Sequence, residues 1–194
     1  MKNNKFTVQD LAKIGVMAAL IFVTTKFISI PIPTPLGKTA IHFGNVMCIL
    51  GGLLFGALPG GLAAGIGSCI VDLMDPAWAP EFWITFINKF IMGFVSGLIM
   101  KFGKPSHIKT VVAAVAGAVS YVMAYLAKTL IMQYYILGNP WQTVSGVLFT
   151  KGTVSLVNGL IAMVVSVILY SLIAPALKKA GLFQDNKPEQ KAKA

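Results

Sequence analysis

Six apolar runs, separated only by short polar or proline-bearing breaks, fill almost the whole of this 194-residue chain. Such runs stay in water only if enough polar residues remain to cover them. Here 11% of residues are charged against 56% hydrophobic, where a soluble domain carries about 25% charged. The sequence therefore predicts an all-α integral membrane bundle, because a helix satisfies its backbone hydrogen bonds internally where lipid offers none. A six-helix membrane domain over 1–175 and a polar cytoplasmic tail over 176–194 are expected.

The runs place helices at about 8–30, 41–56, 61–75, 82–101, 109–136 and 143–174. Thr7 with Asp10 makes a capping box for the first. "PIPTP" ends it, since prolines remove donors and hold an extended path. "GALPGG" (56–61) is a tight turn into the third helix. The second and third helices are short for a span of about 20 residues. Their glycines and alanines predict close packing against neighbours, with a re-entrant hairpin as the alternative.

The net charge is +10, from 16 basic residues, all lysine, and 6 acids. No basic stripe with interleaved aromatics lies on a water-facing element, so nucleic acid is not the expected partner. Lys2, Lys5 and Lys13, the trio Lys101, Lys104 and Lys109, and the pair Lys178 and Lys179 gather at one side. Lys38, Asp75 and Glu81 fall at the other. The positive-inside rule then puts both termini in the cytoplasm, and Trp78, Trp83 and Trp141 form an outer aromatic belt.

Three lysines break this pattern. Lys89 stands seven residues into the fourth helix, Lys128 eight residues before the end of the fifth, and Lys151 eight residues into the sixth. At 1.5 Å per residue all three lie roughly 10–12 Å below the outer surface. A charge there costs about 2.5–3.5 kcal/mol on insertion scales unless it faces something polar. Each also sits on a stripe. Lys89 aligns with Gly93 and Gly97; Lys128 with Tyr121, Tyr125 and Tyr135; Lys151 with Ser155 and Asn158. Asp72 and Asp75 line up near the outer end of the third helix, and Asn45 and Lys26 lie at a similar level. One reading has the lysines snorkel outward or pair with Asp72 and Asp75. The other has them surround an outward-facing polar pocket with surplus positive charge. On that second reading Lys89, Lys128, Lys151, Asp72, Asn45, Tyr121, Tyr125 and Asn158 are the candidate substrate-binding residues. The ligand would then be one that offers negative charge or several strong acceptors, which favours an acidic molecule.

Other motifs carry less. "GKT" at Gly37–Thr39 has Ile32 where a P-loop needs glycine, so no ATP site is expected. Cys48, Cys69, His42 and His107 fit no metal spacing. There is no GxSxG, HExxH or paired-carboxylate arrangement, so the chain reads as a non-enzyme without metal or cofactor. Gly93 and Gly97 form GxxxG, read as helix packing. Gly15 and Ala19 form a small-xxx-small pair, which packs internally or docks another membrane protein.

The stretch "IHFGNVMCILGGLLFGALPGGLAAGIGSCIVDLMDPAWAPEFWITFINKFIMGFVSGLI" (41–99) carries a resemblance. Its "LGGLLFGALPGG" hairpin, the following "GIGSCIVDL" and the "TFINK…G" of the fourth helix are similar to the S components of energy-coupling factor (ECF) vitamin transporters. The nearest groups are riboflavin-type, which includes hydroxymethylpyrimidine and pyridoxine carriers, and pantothenate-type. The resemblance implies a subunit of the bacterial plasma membrane that binds a vitamin from outside, under a lid made partly by the loop after the first helix. It further implies docking through that helix onto a membrane coupling subunit carried by two ATPases, whose ATP hydrolysis topples the S component inward. The family's docking face usually shows AxxxA, for which this chain has Gly15 and Ala19. A stand-alone secondary transporter or channel is the alternative, although no inverted repeat is visible.

Overall fold

The computed structural model describes residues 7–102 and 106–181. Lys2, Lys5, Lys104 and the tail from 182 onward lie outside the described residues. The order is α1 (Val8–Phe27), β1 (Ser29–Thr34), β2 (Gly37–His42), α2 (Gly44–Phe55), α3 (Ala57–Leu73), a 3-10 turn (Ala79–Glu81), α4 (Phe82–Lys101), α5 (His107–Leu130), a π-helical turn (Ile131–Ile136) and α6 (Trp141–Lys179).

The helical bundle expected from the apolar runs is there. By length and apolarity, four helical segments of the described chain can cross a membrane: Val8–Phe27, Ala79–Lys101, His107–Ile136 and Trp141–Lys179. α2, at 12 residues, and α3, at 17, are shorter. A 12-residue helix rises about 18 Å, well under the hydrocarbon thickness of about 30 Å. The division expected at 175/176 falls inside α6, which runs through Pro175 to Lys179.

The all-α expectation holds for the bundle, and a two-stranded hairpin corrects only the ends expected for the first two helices. Residues 28–30 and 41–42 were expected in helices 1 and 2, yet α1 stops at Phe27 and β1 pairs antiparallel with β2, from Ser29 opposite His42 to Thr34 opposite Gly37. Pro31 and Pro33 cannot donate to a ladder and suit a strand whose outer edge is free. Gly37 takes a φ of 102° at the start of β2, a conformation that favours glycine. Apolar content alone did not separate these short β-branched segments from helix.

The capping box at α1 is present, with Asp10 N–H donating to the Thr7 hydroxyl and Thr7 N–H to the Asp10 carboxylate. α2 is buried on every side, touching α1, α3, α4, α5 and α6. That is the expected fate of a helix apolar all round. Its close approach to α3 and α4 depends on missing side chains. A Cβ at Gly52 would lie 2.3 Å from the Gly93 carbonyl oxygen, and one at Gly93 2.6 Å from that of Gly60. The GxxxG of α4 is thus a packing device, as its sequence predicted. α1 turns Ile14, Met17, Ala18 and Ile21 inward and leaves Gly15 and Ala19 on its outer face.

Candidate functional site

Six alternating helices bring six ends to one end of the bundle, and there the polar residues meet. A cavity of about 580 Å³ opens among the C-terminal parts of α1, α3 and α5, the N-terminal half of α4, the stretch of α6 from Lys151 to Asn158, and the hairpin. The hairpin forms one side of it and is tied to α6. Asn158 of α6 accepts the His42 backbone N–H at 3.1 Å and donates its Nδ2 to the Ala40 carbonyl at 2.8 Å. The turn of the hairpin is tied from the side, where Lys38 donates to Asp75 at 2.8 Å and lies 5.0 Å from the Trp78 ring centre.

The three lysines do converge on one cavity, Lys89 and Lys151 buried and Lys128 half-buried, but in three different ways. Lys89 is 5% exposed. It donates to Asn45 Oδ1 and sits 4.0 Å above the Tyr121 ring. Lys128 is paired with Glu81, a carboxylate the sequence reading had not assigned to it. Lys151 is 7% exposed, lines the cavity and has no hydrogen-bond or ion-pair partner among the described residues. Its nearest aromatic face is Tyr125, 5.8 Å from the ammonium. Tyr121 and Tyr125 stack on each other, with centroids 5.7 Å apart and planes 17° apart, making a flat aromatic wall beneath the cations.

Asp72 lines the cavity but forms no ion pair among the described residues; of the three lysines Lys128 alone has a carboxylate partner there, Glu81, while Asp75 takes Lys38. Asn45 is fully enclosed behind Lys89 rather than on the wall. Asn158 is on the wall, with its amide already occupied by β2. Gly15 and Ala19 take no part in the cavity.

Sequence reasoning missed Thr25, Thr39 and His42, all of which line the cavity. His42 was weighed only as a metal ligand. Alternation in "GKTAIH" gave no signal, because the adjacent Thr39 and Ala40 are both buried, where a strand sends successive side chains to opposite faces. Burial, and then the nearby Lys89 ammonium, push the His42 imidazole down to about 3, so it is neutral at physiological pH. Among the described residues no cluster of His, Cys, Asp and Glu is arranged to hold a metal.

Apolar spans around a chamber of solute size, cation-rich and roofed by a hairpin, define a polytopic membrane protein built to enclose a small polar molecule. The family model of the ECF-type riboflavin transporter, S component, matches residues 5–175, and the chain belongs to that family. It is 32% identical over 140 residues to an uncharacterized protein in the gap 3' region of Pyrococcus woesei, covering 72% of this chain and 86% of that one. It is 28% identical over 188 residues to a UPF0397 protein of Leuconostoc citreum, covering 93% and 96%. A UPF0397 protein of Streptococcus gordonii is 26% identical over 182 residues, covering 91% and 93%. The chain is thus a transport component of vitamin type and not an enzyme.

Proposed function

We propose that this chain is the specificity subunit of an ECF-type ABC transporter in a bacterial plasma membrane. It takes a B-type vitamin or precursor from outside into the hairpin-capped cavity and delivers it inward when docked on an ATP-driven module. The observation that carries the reading is Lys151, buried on the cavity wall with no hydrogen-bond or ion-pair partner among the described residues. An enclosed cation is costly until an anion or strong acceptor meets it. The stacked tyrosines beside it suit a flat ligand or an apolar body. Pantothenate, which carries a carboxylate, heads the candidates. Hydroxymethylpyrimidine, pyridoxine and riboflavin follow, because lysine also donates to hydroxyls and ring nitrogens. Docking is assigned to the outer face of α1, where Gly15 has nothing within 4 Å of a would-be side chain and Ala19 is exposed. Both termini are placed in the cytoplasm, which sets the cavity facing outward.

The test is uptake of the four labelled vitamins by cells carrying this chain with and without a coupling subunit and its two ATPases. Uptake only with the module supports the reading. Uptake by the chain alone would make it a stand-alone transporter. Reporter fusions at residue 194 and in the 76–81 loop test the orientation, and an external C-terminus would overturn it.

A further inference from the structure

Two enclosed polar side chains on the cavity wall lack partners, and they are neighbours. The Thr25 hydroxyl, in the last turns of α1, is shut from solvent with no hydrogen bond among the described residues, and so is His42 Nδ1. A threonine in a helix ordinarily bonds back to a carbonyl one turn earlier. Thr24 does so, reaching the Leu20 and Ile21 carbonyls at 2.8 and 3.2 Å, whereas Thr25 does not. Both orphan atoms lie within 3.1 Å of the point where a side chain at residue 44 would begin. Gly44 therefore keeps open the gap across which they face each other. The backbone that carries the imidazole is tied by the bond from the His42 main-chain N–H to Asn158 Oδ1, and the residue lines the cavity.

A neutral imidazole carries one donor and one acceptor nitrogen. Burial and the Lys89 ammonium keep His42 from taking a second proton. Two neighbouring orphans, one a hydroxyl and one a ring nitrogen, satisfy each other if the hydroxyl donates to Nδ1. The ring proton then sits on Nε2. We propose that His42 is a ligand-binding residue of the cavity, presenting Nε2–H to an acceptor on the ligand, with Thr25 as the positioning residue that sets its tautomer. The inference rests on the cavity being the substrate chamber and adds a class to it. Lys89 and Lys151 are donors only, so the chamber offers donors from β2, α4 and α6. Its ligand carries at least two separated acceptors: a carboxylate or comparably strong acceptor for Lys151, and a carbonyl, hydroxyl oxygen or ring nitrogen for His42.

The test uses the full chain in lipid nanodiscs, with pantothenate, pyridoxine, hydroxymethylpyrimidine and riboflavin as calorimetric probes. It also uses 15N-histidine spectra, in which only His42 and His107 give signals. His42→Phe, which keeps the ring and removes the donor, should weaken the bound probe by about tenfold or more, the worth of one hydrogen bond. His42→Gln, which restores a donor at similar reach, should recover most of that. Thr25→Val should turn the His42 signal from one tautomer into a mixture, and Thr25→Ser should not. In the wild type the probe should shift Nε2 of His42 and leave His107 still. Unchanged affinity in His42→Phe, with Lys151→Met impaired, overturns the inference and leaves the chamber standing. Unchanged affinity in both means the probe binds elsewhere and overturns both. If no probe binds the wild type, the reading of the chamber fails for that set. The ligand-free spectrum then decides the tautomer, and a proton on Nδ1 of His42 overturns the inference. Where His42→Phe does not fold, the Thr25 pair and the wild-type spectra carry the test.

Discussion

Replacing the three cavity lysines by methionine should separate them, because the structure gives each different surroundings. Lys151→Met removes an ammonium that meets no acceptor among the described residues. It gives up a marginal contact with Tyr125 at 5.8 Å, near the roughly 6 Å limit for a cation over a ring. It also relieves the desolvation of an unpaired charge. The empty protein should therefore melt at the same temperature or higher. The bound state loses a charge-assisted hydrogen bond worth about 1.5–3 kcal/mol, so affinity should fall about 10- to 150-fold. Lys89→Met acts the other way. It strands the fully buried Asn45 Oδ1 and removes a cation 4.0 Å above Tyr121. An enclosed acceptor left unmade costs about 1–3 kcal/mol, and the ring contact adds about 0.5–2. Stability should then fall by at least about 1 kcal/mol, or about 2–4 °C in Tm for a chain of this size. Lys128→Met strands the Glu81 carboxylate and should also destabilise. The assay is thermal unfolding in nanodiscs with calorimetry of the same samples. A Lys151→Met protein that melts lower than wild type while binding equally well would refute the reasoning, since it would mean that Lys151 is paired within the protein.

Gly44→Ala places a Cβ 1.8 Å from the Thr25 hydroxyl; it should abolish ligand binding and lower Tm, whereas Gly15→Ala, which meets nothing, should leave both unchanged. Gly15→Leu with Ala19→Leu should preserve calorimetric ligand binding and abolish co-purification with the coupling subunit. Survival of the complex would move the docking face elsewhere. Its hydrogen bond to Lys38 holds the Asp75 carboxyl below the usual carboxylate value of 3.8. A depressed pKa means that the contact is present above the carboxylate range and lost as pH falls through the lowered value. Trp78 fluorescence, in a protein with Trp83→Phe and Trp141→Phe, should change with a midpoint below 3.8 and lose that transition in Asp75→Asn.

The linear chain determined the solvent. With so few charges for its apolar content, no arrangement of these residues can cover its own hydrophobic surface in water, and helices follow from the demands of the backbone in lipid. It also determined that Lys89, Lys128 and Lys151 share a depth, because rise per residue converts sequence position into height. What one dimension does not carry is which neighbour each side chain meets around the bundle. Three lysines of equal depth read as equivalent. Packing made one a hydrogen-bond donor to Asn45, one the partner of Glu81 and one an open cation. The hairpin was illegible for a related reason. Segments 29–34 and 37–42 are too short for periodicity to distinguish strand from helix end, and the second is held in place by Asn158, more than a hundred residues away. His42 gained its place by the same route. A lone histidine in sequence has no assigned neighbours, and only the folding of β2 onto α1 and α6 set it beside Thr25, on the wall of a chamber whose other sides come from α3, α4 and α5.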